Sequence, residues 1–183
     1  MGKLKTKIKF TYKDYKSLPE SETRRYELLE GELVMVPSPN EYHQRISGRL
    51  EFILRAFVED KNLGRVYYAP LDVHLGEDVV QPDILFVSEA RSKIITEEEI
   101  RGAPDLVVEI LSPVTAERDR TYKKTLYARH GVREYWIVDP EEKTVEVMTL
   151  GEAGFESSGV YGKQGILRSP LFTGLSINLS DVF

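Results

Sequence analysis

The segment from Pro104 to Pro140 constrains the fold most strongly, because it contains two apolar runs separated by one helical stretch. Its first run, Pro104 to Leu111, is almost continuously apolar, as in a strand that is covered on both faces. Glu109 lies inside this run, and an unpaired carboxylate buried there costs several kcal/mol or takes up a proton. The second run, Glu134 to Asp139, predicts the next strand. The segment therefore predicts a buried sheet in which Glu109 has a cationic partner.

Another apolar run carries a carboxylate near its start. Gln81 to Val87 predicts a buried strand in which Asp83 follows Pro82, and proline is tolerated at the first residue of a strand because no ladder hydrogen bond is lost. Acids at the ends of neighbouring core strands line a pocket with oxygen atoms, the ligands that Mg²⁺ and Mn²⁺ prefer. Asp83 and Glu109 together therefore predict a hard-cation site, and such a cation can activate water against a phosphodiester.

The stretch between the two runs of the first segment, Thr115 to His130, has a helical pattern and is followed by Gly131, a usual C-terminal stop. Its cationic residues are Arg118, Arg120, Lys123, Lys124 and Arg129. Asp119, Lys123 and Tyr127 share one face at spacings i, i+4 and i+8. One interpretation is a solvated helix with an Asp119–Lys123 ion pair. The other places Lys123 at the cation site, where its charge offsets that of a phosphate, and spacing alone leaves both open.

Composition excludes several classes of protein. The 183 residues are 41% hydrophobic and 30% charged, so we expect one domain over residues 1–183, with residues 1–11 as a flexible basic tail. The chain contains no cysteine, which excludes disulfides and thiolate metal sites. No apolar run reaches the roughly 18 residues that span a bilayer, so we expect no membrane partner and a cytoplasmic location. The net charge of −5 disfavours a general coat of nucleic acid but not a local contact.

The N-terminal half supplies further elements. Arg25 to Val36 reads as two strands that turn near Glu30, and its Glu27 faces either an active site or solvent. The clearest amphipathic helix runs from Glu41 to Asn62. His43 lies in its first turn and is either a surface residue or part of a site.

Two segments have weaker patterns. Ser88 to Gly102 is charged and reads as a loop with one helical turn at Glu97 to Ile100. Gly151 to Gly165 contains five glycines and reads as a loop with one edge strand.

Three segments carry a resemblance to a known family: Tyr26 to Glu32, Pro104 to Pro113 and Gly131 to Pro140. They resemble the bacterial Uma-two family of endonuclease-like proteins, over the chain from about Tyr12 to its C-terminus. Asp83 after Pro82, with Glu109 on the next strand, is similar to the PD-(D/E)xK signature of the restriction endonuclease-like superfamily.

The resemblance implies an α/β (α+β) fold of the restriction endonuclease-like type, with a central mixed β-sheet flanked by helices. It implies that Asp83 and Glu109 are catalytic metal ligands and that the Ile110 carbonyl is a third ligand. The superfamily's lysine two residues after the glutamate is Leu111 here, and the resemblance implies that Lys123 supplies the amine from the following helix.

The remaining residues of the implied site are less specific. Glu27 matches a marked family position and is expected to be catalytic. His43, also at a marked position, is expected to support the site together with Asp119 and Tyr127.

The function expected from these residues is Mg²⁺- or Mn²⁺-dependent hydrolysis of DNA phosphodiester bonds by an endonuclease. Arg118, Arg120 and Lys124 are expected to contact DNA phosphates. Because cutting both strands ordinarily calls for two sites, we expect a homodimer. One alternative is a non-catalytic nucleic-acid-binding module with the same fold, and another is a structural subunit whose acids bind an adventitious ion.

Overall fold

The computed structural model describes residues 8–19 and 25–183. Its helices are α1 (Tyr12–Lys16), α2 (Glu41–Asp60), α3 (Ala116–Arg118) and α4 (Lys124–His130), with a π-helical turn at Asp119–Lys123 and 3₁₀ helices at Glu89–Ile94 and Leu179–Asp181. Its strands are β1 (Arg25–Leu29), β2 (Glu32–Val36), β3 (Gly64–Tyr68), β4 (Val73–Leu75), β5 (Asp78–Val80), β6 (Ile84–Ser88), β7 (Ile100–Arg101), β8 (Leu106–Ile110), β9 (Glu134–Asp139), β10 (Thr144–Gly151), β11 (Gly154–Gly162), β12 (Ile166–Leu167) and β13 (Ile177–Asn178). Residues 1–7 of the predicted basic tail lie outside the described residues.

The main sheet has six strands in the order β11-β10-β9-β8-β6-β3. Strands β8 and β9 are parallel, and the other neighbours are antiparallel. A second sheet has the order β2-β1-β5-β4-β7, and β12 pairs with β13. The mixed sheet flanked by helices that the resemblance implies is therefore confirmed.

Pairing within the main sheet brings the two predicted acids together. Ile84 of β6 lies opposite Val108 of antiparallel β8, so the start of β6 and the end of β8 share one edge. Asp83 immediately precedes β6 rather than lying within it, and Glu109 is the penultimate residue of β8. The two carboxylates are thus carried by adjacent strands at the same end of the sheet.

Alternation along β8 divides the core between two helical layers. Val108 and Ile110 belong to a cluster that contains the apolar face of α2, whereas Val107 and Leu111 pack with Leu126 of α4. Glu109 has the same parity as Val107 and Leu111, so it faces α4.

The helix predicted from Thr115 to His130 is interrupted by the π turn, although it ends at Gly131 as expected, with a φ of 85°. The Tyr135 hydroxyl donates a hydrogen bond of 3.0 Å to the backbone carbonyl of Asp119, inside the wide turn. Asp119 and Lys123 are both buried, and π turns of this kind occur frequently at functional sites.

Two weaker predictions need correction. The helical turn expected at Glu97 to Ile100 is wrong: the turn lies at Glu89–Ile94, and Ile100 pairs with β4, because its buried side chain belongs to the core. The segment after Gly151 contains the predicted edge strand, β11, but it is less loop-like than expected, since β11 pairs with β10 along its length and Phe155 packs on the core. No helix among the described residues is long and apolar enough to cross a membrane.

Candidate active site

Asp83, Ile110 and His43 lie close together at the end of the sheet where β6 begins and β8 ends. Asp83 Oδ2 accepts the backbone N–H of Ile110 at 2.7 Å, which ties the acid of one strand to the end of the other. His43 Nε2 lies 3.1 Å from the Ile110 carbonyl oxygen and 3.3 Å from Asp83 Oδ2. Asn40 caps α2 by accepting the backbone N–H of His43, so the first turn of the helix holds the imidazole in place. His43 is therefore mostly buried beside Asp83 rather than a surface residue.

Lys123 forms the centre of an acidic cluster on the α4 side of the sheet. Its Nζ donates to Glu109 Oε1 at 3.0 Å and lies 2.8 Å from Glu27 Oε1 and 3.6 Å from Asp119 Oδ1. The Tyr127 hydroxyl donates to the same Glu109 oxygen at 2.6 Å. The Asp119–Lys123 ion pair of the solvated-helix interpretation is present, but solvation of Lys123 is wrong, because only 6% of its side chain is exposed. Glu27 is likewise buried rather than solvent-facing.

The charges of this cluster do not balance. Burial opposes ionisation of Lys123, but the neighbouring carboxylates outweigh it and hold the pKa of the ammonium well above its ordinary value. Burial raises the pKa of Glu109 well above its ordinary value despite Lys123, and it raises the pKa of Asp119 in the same way. Asp119 Oδ1 is buried without a hydrogen-bond partner among the described residues. The single ammonium of Lys123 thus lies among three carboxyl groups, those of Glu27, Glu109 and Asp119. Because one positive charge cannot neutralise three ionised carboxylates, this arrangement favours binding of a further cation.

Apart from Tyr127, these groups line one cavity of about 530 Å³. Its walls include the loop from Val36 to Asn40 and the loop from Leu111 to Thr115, which follow β2 and β8. Arg25 and Arg118 also line it, and Tyr68 lies at its rim with a side chain that is largely exposed. The volume falls in the range of small-ligand sites.

The donor set fits a hard divalent cation. Within the described residues, the hydrogen bonds to the Asp83 carboxylate end on Oδ2 and those to the Glu109 carboxylate end on Oε1, so one oxygen of each carboxylate remains available. The Ile110 carbonyl adds a third oxygen. Among residues 8–19 and 25–183, no three His, Cys, Asp or Glu side chains could hold a metal by themselves. Two carboxylates, a carbonyl and water are nevertheless a usual set for Mg²⁺, which keeps several waters.

The three predicted phosphate contacts do not lie together. Arg118 lines the cavity that contains Lys123. Arg120 and Lys124 line a second cavity, between the α3–α4 region and β11, and Arg120 forms a 3.0 Å ion pair with Asp139. Arg118 therefore lies on a different side of the helical segment from Arg120 and Lys124.

Sequence reasoning missed the residues that hold Glu27. The backbone N–H of Gln81 donates to Glu27 Oε1 at 2.9 Å, and the Gln81 side chain donates to Asp72 Oδ1 at 2.8 Å. The Tyr15 hydroxyl donates to the same Asp72 oxygen at 3.0 Å. Gln81 is adjacent to the Pro82-Asp83 pair that the sequence singled out. Its contact with Glu27 and the contact of Tyr15 with Asp72 each join residues more than fifty positions apart, so no local pattern predicts them.

Comparison with known proteins agrees with this architecture. The chain matches the model of the Uma2 family, described as "Putative restriction endonuclease", over residues 12–180. It is also similar to the crystal structure of a "putative nuclease belonging to DUF820" from Anabaena variabilis, with 26% sequence identity and a TM-score of 0.80 over 95% of this chain and 97% of that one. Comparison with curated proteins gives no match. Since the family model spans nearly the whole chain, the protein belongs to the Uma2 family of restriction endonuclease-like proteins.

Proposed function

We propose that this chain is a divalent-cation-dependent endonuclease that hydrolyses DNA phosphodiester bonds in the cavity around Asp83, Glu109 and Lys123. The observation that carries the proposal is the 3.0 Å contact of Lys123 Nζ with Glu109, whose strand neighbour presents Asp83 at the same sheet edge. The contact supports the role of Lys123 as the amine that replaces the strand lysine at Leu111. A nuclease family match and a donor set that suits Mg²⁺ or Mn²⁺ point to the same chemistry.

Each residue has a distinct task in this proposal. Asp83, Glu109 and the Ile110 carbonyl hold the cation, which when bound would neutralise charge on the scissile phosphate. Lys123 remains protonated, so it acts as a hydrogen-bond donor to the phosphate or the attacking oxygen rather than as a base. Glu27, 2.8 Å from Lys123 Nζ, orients the ammonium together with Glu109.

Two further residues support the buried acids. Tyr127 fixes Glu109 through its hydroxyl. Asp119 adds negative charge next to Lys123 and favours its protonated form.

The wider setting of the reaction is part of the same proposal. The whole chain acts as a single domain, its DNA substrate is cytoplasmic, and two copies supply the two sites that double-strand cleavage calls for. Arg118 contacts a phosphate beside the scissile bond, while Arg120 and Lys124 contact phosphates beyond the second cavity.

A cleavage assay with supercoiled plasmid tests the proposal. The wild type should nick or linearise DNA with Mg²⁺ or Mn²⁺ and not with EDTA. Glu109→Gln keeps the size of the side chain but removes an anionic ligand, so it should lower the rate about a hundredfold or more. Glu98→Gln, at a carboxylate whose side chain is 70% exposed, is the matched control and should cut at the wild-type rate.

The outcomes of this assay distinguish the proposal from its alternative. Equal cleavage by the wild type and Glu109→Gln, both folded, would assign the activity to a contaminating nuclease. DNA binding without cleavage under any cation would leave a binding module with the same fold.

A further inference from the structure

His43 reaches the proposed cation site from α2, which covers the face of the sheet opposite Lys123. Its Nε2 lies 3.1 Å from the Ile110 carbonyl oxygen and 3.3 Å from Asp83 Oδ2. Both oxygens belong to groups that the proposed function assigns to the cation. Only 14% of the His43 side chain is exposed, and the residue lines the main cavity.

These separations match those between ligands of one ion. In an octahedral complex with metal–ligand distances of about 2.1 Å, adjacent ligand atoms lie about 3 Å apart. The nitrogen is therefore placed at the spacing of a neighbouring ligand from the Ile110 carbonyl oxygen, and beside the Asp83 carboxylate, whose Oδ1 remains available to the same ion. A hydrogen bond has similar distances, and measurements on the bound metal distinguish the two arrangements.

We propose that His43 Nε2 is a nitrogen ligand of the cation held by Asp83, Glu109 and the Ile110 carbonyl, and that it makes the site select Mn²⁺ over Mg²⁺. The inference rests on the cation site of the proposed function and adds the selectivity of that site. Mg²⁺ strongly favours oxygen ligands, whereas an imidazole nitrogen stabilises divalent transition-metal ions.

The second imidazole nitrogen of His43, Nδ1, limits the affinity for the cation. Binding through Nε2 requires the ring proton to lie on Nδ1, and ligating histidines usually donate that proton to a carboxylate or carbonyl. His43 Nδ1 is buried and has no hydrogen-bond partner in the described part of the chain. The nitrogen ligand therefore sets the choice of metal more than it raises the total affinity.

Calorimetry on the full-length protein tests the selectivity. Mn²⁺ and Mg²⁺ should each be titrated into the wild type, His43→Ala and His43→Gln. Loss of the nitrogen should weaken Mn²⁺ binding about tenfold or more and weaken Mg²⁺ binding less, so the affinity ratio falls. If His43 only positioned Asp83, both cations would weaken by the same factor and the ratio would stay unchanged. An unchanged ratio overturns the inference.

Pulsed EPR on bound Mn²⁺ gives a second readout that does not depend on the folding of a His43 variant. The wild type should show the ¹⁴N coupling of a directly bound imidazole. The chain has three histidines, so His74→Ala and His130→Ala should keep this coupling, which assigns it to His43. Bound Mn²⁺ without nitrogen coupling would overturn the inference and leave the proposed nuclease intact. Failure of the wild type to bind either cation would overturn both.

Discussion

At the scale of single residues, the site is defined by an excess of buried negative charge around one lysine. Lys123 contacts Glu27 and Glu109 within 3.0 Å, and Asp119 lies 3.6 Å away. Asp83 adds a fourth carboxylate to the same cavity. Buried groups of like charge reduce stability unless a cation is bound, so function and stability should oppose each other here.

Removing the Lys123 amine should stop catalysis. Lys123→Ala should lower the cleavage rate about a hundredfold, because the variant loses the charge that faces the phosphate. Lys123→Gln keeps most of the side-chain length and should lose as much, which separates loss of charge from loss of packing. Rates are measured on supercoiled plasmid after circular dichroism has shown that each variant is folded.

A rescue tests the position of the amine. Leu111 lines the cavity on the same core face as Glu109, so Leu111→Lys in the Lys123→Ala background should restore part of the rate. Lys61→Ala is the control for loss of a lysine outside the cavity, at the other end of α2 from His43, and it should cleave at the wild-type rate. Wild-type rates for Lys123→Ala would reduce Lys123 to a structural ion pair.

The raised pKa of Glu109 predicts how stability depends on pH. Between the ordinary glutamate value of 4.5 and its raised pKa, the folded chain holds a proton that the unfolded chain releases. Stability of the metal-free protein therefore falls as pH rises through that window. Glu109→Gln should flatten this dependence and gain about 1 kcal/mol at neutral pH.

Thermal unfolding in EDTA between pH 5 and pH 8 measures the effect. Glu98→Gln serves as the exposed control and should follow the wild type. If the melting temperatures of Glu109→Gln and the wild type changed with pH in the same way, the pKa of Glu109 would not be raised by its surroundings.

At the scale of elements, the π turn between α3 and α4 carries the two charged side chains that are buried in the cavity. Asp119 and Lys123 are buried on the inner side of the turn, while Arg120 points to the second cavity. The Tyr135 hydroxyl supports the turn through the carbonyl of Asp119.

Tyr135→Phe should therefore loosen the turn. Loss of this buried hydrogen bond should lower the free energy of unfolding by about 1 kcal/mol. The cleavage rate should also fall, although the protein stays folded, because Lys123 is displaced. Tyr161→Phe removes an exposed hydroxyl whose contact with the Arg168 carbonyl is 3.4 Å long, and should change neither property. Chemical denaturation and cleavage rates on the same preparations provide the comparison. An active, equally stable Tyr135→Phe would mean that the turn needs no support from this residue.

The sequence predicts these elements better than it predicts their details. Apolar runs locate β6, β8 and β9, because strands buried on both faces have a continuous apolar pattern. The helical pattern after Thr115 contains no sign of the π turn, since its spacing is compatible with either helix. Glu27 remained ambiguous because its partners, Gln81 and Lys123, are distant in sequence. Which side chains lie next to Asp83 and Glu109 depends on the order of the strands in the sheet. The periodicity of apolar residues does not give that order.

At the scale of the whole molecule, the proposed function requires DNA to be bound by local charge, because the net charge of the chain is −5. Arg118 lines the main cavity, and Arg120 and Lys124 line the second one. A DNA path across both would follow the α3–α4 region.

Charge reversal along this path should reduce the salt dependence of DNA binding. Each lost phosphate contact lowers the slope of log K against log salt by about 0.9. Arg118→Glu should also slow cleavage, whereas Arg120→Glu and Lys124→Glu should affect binding alone. Fluorescence anisotropy across a salt series measures the slopes, with Lys61→Glu as the control. Slopes that match the wild type for all three variants would place the DNA elsewhere on the surface.

Anomalous diffraction from crystals soaked in Mn²⁺ tests whether Asp83 and Glu109 share one divalent cation, on which the proposed chemistry depends. We expect an anomalous peak where β6 begins and β8 ends, about 2.2 Å from an oxygen of each carboxylate and from the Ile110 carbonyl. An Asp83→Ala crystal soaked in the same way should lose the peak. Mn²⁺ that binds only elsewhere on the protein, or an undiminished peak in Asp83→Ala, would contradict a shared cation.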